Sequence, residues 1–217
     1  SNGVLSATTP FGKTVTAAAL IARRKTNTLI LVHSKALLMQ WHERLSEFLD
    51  IDFTEEEISK KRGRKKAFSP VGCLDSTSNT LHGVIDIALM QSCFENDEVK
   101  PFVKGYGMVI VDECHHVSSI TFENVLKHVT AHYVYGLTAT PIRKDGLQPI
   151  IFMQCGPIRF FADAKAQIQK QSFQRYLMPR FTSYRPVTDD KQSFTALSQS
   201  LAESEIRNNL IIEDVLN

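Results

Sequence analysis

The sequence has 217 residues and a formal net charge of +2, which is too small to indicate nucleic-acid binding by itself. Hydrophobic residues make up 43% of the chain and charged residues 22%, and these values exclude a mostly disordered protein. No apolar stretch approaches the roughly 18 residues that span a bilayer, and no signal peptide is visible. The four cysteines are spread out without a C-x-x-C pair, so they predict free thiols in a reducing compartment such as the cytoplasm.

Short apolar runs alternate with helical patterns over most of the chain. Five runs predict strands, at Gly3–Ser6, Thr28–Val32, 84–90, Met108–Val111 and 133–137. Apolar residues that recur every three or four positions predict helices at 13–24, 37–48 and 122–129. This alternation predicts an α/β fold with a mostly parallel central sheet, right-handed crossovers and helices on both faces.

Two stretches depart from this alternation. Residues 54–80 begin with acidic and basic runs and predict a surface loop or a loose hairpin. After about residue 147 the pattern weakens, with a candidate strand at 158–161 and candidate helices near 194–201 and 206–210. We therefore expect one domain over residues 1–147 and an extension or connector over 148–217. The chain opens without Met, and we expect it to be a piece of a longer protein.

A phosphate-binding loop is predicted between the first strand and the first helix. Residues 7–14 read ATTPFGKT and fit the pattern A/G-x-x-x-x-G-K-[ST]. Backbone N–H groups of such a loop bind phosphate oxygens, Gly12 lets the backbone come close, Lys13 supplies a charge, and the Thr14 hydroxyl is a ligand for Mg²⁺. The predicted cofactors are ATP and Mg²⁺, and the predicted nucleotide-binding residues are Thr8, Thr9, Pro10, Phe11, Gly12, Lys13, Thr14 and Val15.

Two carboxylates follow the buried run Met108–Val111 directly. In phosphate-loop enzymes an acid at such a strand end holds Mg²⁺, which predicts that role for Asp112 together with Thr14. The neighbouring Glu113 is then the candidate general base that activates the attacking water.

Besides the phosphate loop, four segments resemble motifs of the superfamily-two helicases, and they occur along the chain in the order that the family has. Residues 112–115 (DECH) resemble the D-E-x-H box, and residues 138–140 (TAT) look like the third motif. Residues 29–41 (LILVHSKALLMQW) are similar to motif Ia, and residues 90–92 fall where the family has another strand-end motif. Within that superfamily the chain is most similar to the DEAD/DEAH-like group of type III restriction subunits and XPB-type translocases, over roughly residues 3–160.

The resemblance implies the first of two RecA-like domains, with ATP bound between them and movement along DNA or RNA driven by hydrolysis. It implies that His115, Thr138, Ala139 and Thr140 couple the nucleotide state to nucleic acid. It further implies that five side chains face the nucleic-acid backbone: His33, Ser34, Lys35, Gln91 and Ser92. The second RecA-like domain of the same protein is an implied partner, a bacterial cytoplasm is the implied location, and the isolated chain is expected to be almost inactive.

Other interpretations stay open at the level of sequence. A phosphate-loop NTPase of another class, such as an AAA-type remodeller acting on proteins, is the main alternative. Residues 60–66 hold six cations in seven positions and indicate either contact with phosphates or a solvated loop. DNA or RNA preference, direction of movement and oligomeric state are not encoded in these motifs.

Overall fold

The computed structural model describes residues 2–7, 12–51, 69–115, 120–139, 148–162, 178–185 and 193–216. The chain divides into two compact units, Ser1–Lys170 and Gln171–Asn217. The expected domain boundary after residue 147 falls inside the first of these units.

The first unit is a parallel α/β sheet with helices packed on both faces. Its strands are β1 (Gly3–Ser6), β2 (Thr28–Val32), β3 (Gly72–Leu74), β4 (Ile85–Leu89), β7 (Met108–Val111), β8 (Tyr133–Thr138) and β9 (Ile158–Phe161). They form one sheet in the order β3-β4-β2-β7-β8-β1-β9, and every pairing in it is parallel. Its helices are α1 (Lys13–Arg24), α2 (Lys35–Phe48), α3 (Ile120–His128) and α4 (Gln148–Cys155). This is the three-layer fold predicted from the alternation of patterns.

Both faces of the central strands are buried, which explains their unbroken apolar runs. In β2, Leu29 and Leu31 face the core beneath α3 and α4, whereas Ile30 and Val32 face the core beneath α1 and α2. The central strands are therefore covered on both sides, and their ends are open to ligands.

The predicted count of five strands was wrong, because β3 and β9 complete the sheet. Strand β9 had been a candidate, but β3 lies in the stretch predicted to be a loop. It has only three residues, and its sequence GCL is too short to show a period. A small antiparallel hairpin of β5 (Phe94–Glu95) and β6 (Glu98–Val99) was also not predicted.

The second unit contains two helices among its described residues, α5 (Phe194–Ala202) and α6 (Glu205–Leu216). The hydroxyl groups of Tyr184 and Ser200 lie 2.6 Å apart, and Arg180 pairs with Asp214 at 2.8 Å. Within the described part of the chain, no helix has the length and apolar character needed to cross a membrane.

Candidate functional site

The carboxyl edge of the sheet gathers most of the predicted site residues. In a parallel sheet all strands end at the same edge, and ligands bind in the crevice outside those ends. Strands β7, β8 and β1 are neighbours, and they lead into the D-E-x-H box, the third motif and the phosphate loop. On the other side of β7, strands β3, β4 and β2 end beside the predicted nucleic-acid segments.

The start of α1 positions Lys13, the lysine predicted to bind phosphate. Gly12 caps the helix in the left-handed conformation with φ 81°, which glycine adopts without strain. Lys13 is the first helical residue, and it is buried with only 8% of its surface exposed. Its Nζ lies 2.6 Å from Oε1 of Glu113, so the two predicted catalytic groups form an ion pair.

The turn after β7 holds the acidic pair in a fixed arrangement. Asp112 is 6% exposed, and its backbone N–H donates to the carbonyl of Leu31 on β2 at 3.0 Å. Glu113 has a φ of 47°, a left-handed conformation that is uncommon outside glycine and often marks functional turns. Its N–H donates to Oδ1 of Asp112 at 3.0 Å, and this local bond stabilises the turn.

The side chain of Asp112 is buried and largely shielded from water. Burial raises its pKa, the hydrogen bond from Trp41 opposes this shift, and the nearby charge of Glu113 adds to it. The indole Nε1–H of Trp41 donates to Oδ2 of Asp112 over 2.7 Å. The carboxylate therefore depends on specific donors, because an unpaired buried charge is strongly unfavourable.

His115 joins the D-E-x-H box to the third motif. Its Nδ1 lies 3.1 Å from Oγ1 of Thr138, at the end of β8, and 3.1 Å from Oε2 of Glu113. Thr138 is fully buried, and its backbone carbonyl accepts the N–H of Ala7 at 2.9 Å. These contacts connect all three strand ends of this half of the edge.

The donor atoms fit magnesium and nucleotide. Asp112 and Thr14 offer hard oxygen atoms, which are the ligands that Mg²⁺ takes. Among the described residues there is no group of three or more His, Cys, Asp or Glu side chains that could hold a metal ion. A site of few protein ligands is what Mg²⁺ uses when phosphates and water complete its shell.

The remaining predicted residues of the nucleotide site take no part in the contacts described above or lie outside the described residues. Val15 is half-exposed on α1, and Ala139 follows β8 directly. The loop residues Thr8, Thr9, Pro10 and Phe11, together with Thr140 and the basic run 60–66, lie outside the described residues.

The predicted nucleic-acid residues lie at the ends of β2 and β4. His33 follows β2, Ser34 caps α2 by accepting the N–H of Leu37, and Lys35 is the first residue of that helix. Gln91 and Ser92 lie in a short 3₁₀ helix, Met90–Cys93, that follows β4. The Nε2 of Gln91 approaches the carbonyl of His33 at 3.5 Å, so the two segments meet.

Two contributors to this edge were missed from the sequence. Asp75, after β3, accepts three hydrogen bonds from Thr77 and Ser78 and pairs with Lys35 at 3.1 Å. An Asp followed by Ser and Thr is a known turn signal, but its ionic partner is invisible in sequence. Trp41 ends the segment that is similar to motif Ia, and the sequence assigned its side chain no role at the site, although a buried indole N–H usually finds an acceptor.

A mostly apolar cavity of about 340 Å³ lies away from this edge. It is bounded by α1, β1, β8 and β9, and its lining includes Leu5, Leu20, Leu137 and Phe160. Its polar lining residues are Thr16, Tyr135 and Arg159, whereas the predicted catalytic groups meet at the carboxyl edge, which is therefore the candidate site.

The chain is similar in sequence to known proteins. The family model described as "Type III restriction enzyme, res subunit" matches residues 1–143. A viral protein whose name describes it as a helicase, 109L of invertebrate iridescent virus 3, is 34% identical over 154 residues, covering 71% of this chain and 44% of its own. The "DNA 3'-5' translocase XPB2" of Sulfurisphaera tokodaii is 28% identical over 156 residues, covering 72% of this chain and 31% of its own.

A solved structure shows the same fold. The UvsW helicase of bacteriophage T4 aligns with a TM-score of 0.53 at 14% identity, over 72% of this chain and 53% of that one. The chain spans less than half the length of the two relatives named above.

Proposed function

We propose, from the premise that the chain belongs to the type III restriction enzyme res subunit family, that it is the ATP-binding RecA-like domain of an ATP-dependent nucleic-acid helicase or translocase. The observation that carries this proposal is the contact network at one sheet edge. It runs from Lys13 through Glu113 to His115 and Thr138, with Asp112 adjacent.

The residues of this network have complementary tasks. Lys13 would exchange the carboxylate of Glu113 for phosphate oxygens of ATP, which frees Glu113 to orient and deprotonate the attacking water. Thr14 and Asp112 would hold Mg²⁺, which when bound supplies charge neutralisation between the phosphates. His115, Thr138, Ala139 and Thr140 would transmit the nucleotide state, since His115 touches both Glu113 and Thr138.

The nucleic-acid backbone would lie along the ends of β2 and β4. His33, Ser34, Lys35, Gln91 and Ser92 offer donors there, and Lys35 supplies the positive charge that phosphates attract. The relatives named above are described as a helicase and a translocase, which favours this function over a protein remodeller of the AAA type. Because those relatives are viral and archaeal, a bacterial origin does not follow from them.

A second RecA-like domain of the same protein would complete the catalytic site. Phosphoryl transfer needs an added positive charge on the γ-phosphate, and an arginine finger is worth about 10³–10⁵ in rate. The second unit, Gln171–Asn217, would then belong to the connection toward that domain.

The test is phosphate release by the full-length protein, with and without single- and double-stranded DNA and RNA. We expect nucleic acid to stimulate hydrolysis. Glu113→Gln should bind ATP normally while its turnover falls by about 10²–10⁴, because an amide is a poor base. Glu123→Gln is the matched control, since Glu123 pairs with Lys127 on α3 away from the site. Hydrolysis that is indifferent to nucleic acid and to Glu113→Gln would overturn the proposal.

A further inference from the structure

Trp41 is the only tryptophan of the chain, and it lies on the face of α2 that packs against the sheet. It is 2% exposed, in the same core cluster as Val32, Leu38 and Ile110. Packing alone accounts for the ring, but it does not account for the direction of the indole N–H. That group meets Oδ2 of Asp112 at 2.7 Å, across 71 residues of sequence.

A carboxylate acceptor makes this contact more than the satisfaction of a buried N–H. Hydrogen bonds to ionised groups are stronger and more directional than bonds between neutral groups. A backbone carbonyl would have satisfied the indole equally well without involving the acidic pair. The bond therefore acts on the carboxylate at least as much as on the ring.

The oxygens of Asp112 are constrained from two sides. Oδ2 accepts from Trp41, Oδ1 accepts from the N–H of Glu113, and the backbone is tied to Leu31. Each carboxylate oxygen has two lone pairs, so one on each atom is left for other ligands. The plane of the carboxylate is thus set before any ligand arrives.

We propose that Trp41 is a positioning residue for the magnesium-binding carboxylate: its indole N–H fixes the orientation of Asp112 from helix α2. The inference rests on the proposed function and gives a role to a residue for which the resemblance implied none. Groups that orient metal ligands typically change metal affinity or activity by about 10–100-fold when they are removed.

The experiment compares Trp41→Phe with wild type in the full-length protein. Binding of a fluorescent ATP analogue is titrated at fixed nucleotide with increasing Mg²⁺, and separately in excess chelator. We expect the Mg²⁺ concentration for half-maximal tight binding to rise by about 10–100-fold, with the affinity in chelator unchanged. A merely structural role would weaken both measurements together.

Phe122→Leu is the matched control, because Phe122 is equally buried on the opposite face of the sheet. It should lower stability without changing the Mg²⁺ dependence. If Trp41→Phe does not fold, Trp41 can be replaced with benzothienylalanine, which keeps the bicyclic shape and exchanges the N–H for sulfur. An unchanged Mg²⁺ dependence in either variant overturns the inference and leaves the proposed function intact. Wild-type protein that binds nucleotide equally with and without Mg²⁺ overturns both.

Discussion

Lys13 and Glu113 form an ion pair of 2.6 Å between the first residue of α1 and the turn after β7. The lysine side chain is 9% exposed and the glutamate side chain 23%, so both charges are largely withdrawn from water. In the proposed function, a nucleotide phosphate that reaches Lys13 would displace this carboxylate, and the displacement would make Glu113 available as a base. Nucleotide binding and activation of the base would therefore be linked through one contact.

Lys13→Ala should remove detectable nucleotide binding. Loss of one partner of a desolvated charge pair costs about 2–5 kcal/mol, which corresponds to at least about 30-fold in Kd. Calorimetric titration with ATP and Mg²⁺ measures this directly. Arg23→Ala is the control, because it removes an exposed cation from the last turn of the same helix. Wild-type affinity in Lys13→Ala would remove the phosphate-loop assignment.

Asp75→Asn should increase nucleic-acid affinity if Lys35 contacts phosphates. The asparagine oxygen can still accept hydrogen bonds from the N–H groups of Thr77 and Ser78, so the turn is kept. The negative charge that pairs with Lys35 is removed. One additional phosphate contact should steepen the salt dependence of log K by about 0.7–0.9. Fluorescence anisotropy with labelled DNA and RNA at several salt concentrations measures the slope.

Two variants decide how that result is interpreted. Lys35→Gln should weaken binding, and Asp75→Asn should then have no further effect in that background. Asp50→Asn makes the same charge change beyond the other end of α2 and should leave the slope unaltered. A similar rise in affinity for Asp50→Asn would mean that only overall charge matters.

Gly72→Ala should destabilise the first unit by about 1–3 kcal/mol, the usual cost of overpacking. A Cβ at Gly72 would collide with Oδ1 of Asp86, a fully buried carboxylate on the neighbouring strand β4. Asp86 accepts the Tyr106 hydroxyl at 2.6 Å and the N–H of Gly83 at 2.6 Å, so displacing it disrupts several bonds at once. Urea unfolding measures the loss. Gly105→Ala, where an added Cβ meets nothing within 4 Å, should be nearly neutral; equal losses would refute the steric reason.

Sequence predicts what depends on local patterns and misses what depends on distant partners. The strand β2 and helix α1 were predicted at their observed bounds, because an unbroken apolar run and a phosphate-loop lysine mark them locally. Strand β3 was missed because its three residues are too few to show a pattern. It is a strand because it pairs with β4 at the edge of the sheet. The hydrogen bond from Trp41 to Asp112 joins helix α2 to the turn after strand β7, 71 residues apart in the sequence. No local spacing pattern can predict such a contact.

The four thiols should react slowly in the native chain. Burial raises the pKa of Cys73 to about 11 and the pKa of Cys93 and Cys155 to about 12, and burial also raises the pKa of Cys114. A raised pKa keeps the neutral thiol, and the thiolate is the reactive form, so labelling should stay slow from pH 7 to pH 9. A colorimetric disulfide reagent should detect four thiols only after denaturation in guanidinium. Rapid labelling of all four in the native chain at pH 7 would contradict this.

The 217-residue chain alone should hydrolyse ATP only marginally, with or without DNA. It holds Lys13 and Glu113, but the transition state also needs a cation on the γ-phosphate that is worth about 10³–10⁵ in rate. Two of its arginines that could substitute are engaged elsewhere: Arg159 donates to the carbonyl of Asn2 at 3.3 Å, and Arg180 pairs with Asp214. Phosphate release by this chain, compared with the full-length protein at equal concentration, measures the deficit. Robust DNA-stimulated turnover by the chain alone would mean that the cation is supplied internally or by a second copy. A dependence of specific activity on protein concentration would then identify the second copy, whereas independence would direct mutagenesis to the arginines of this chain.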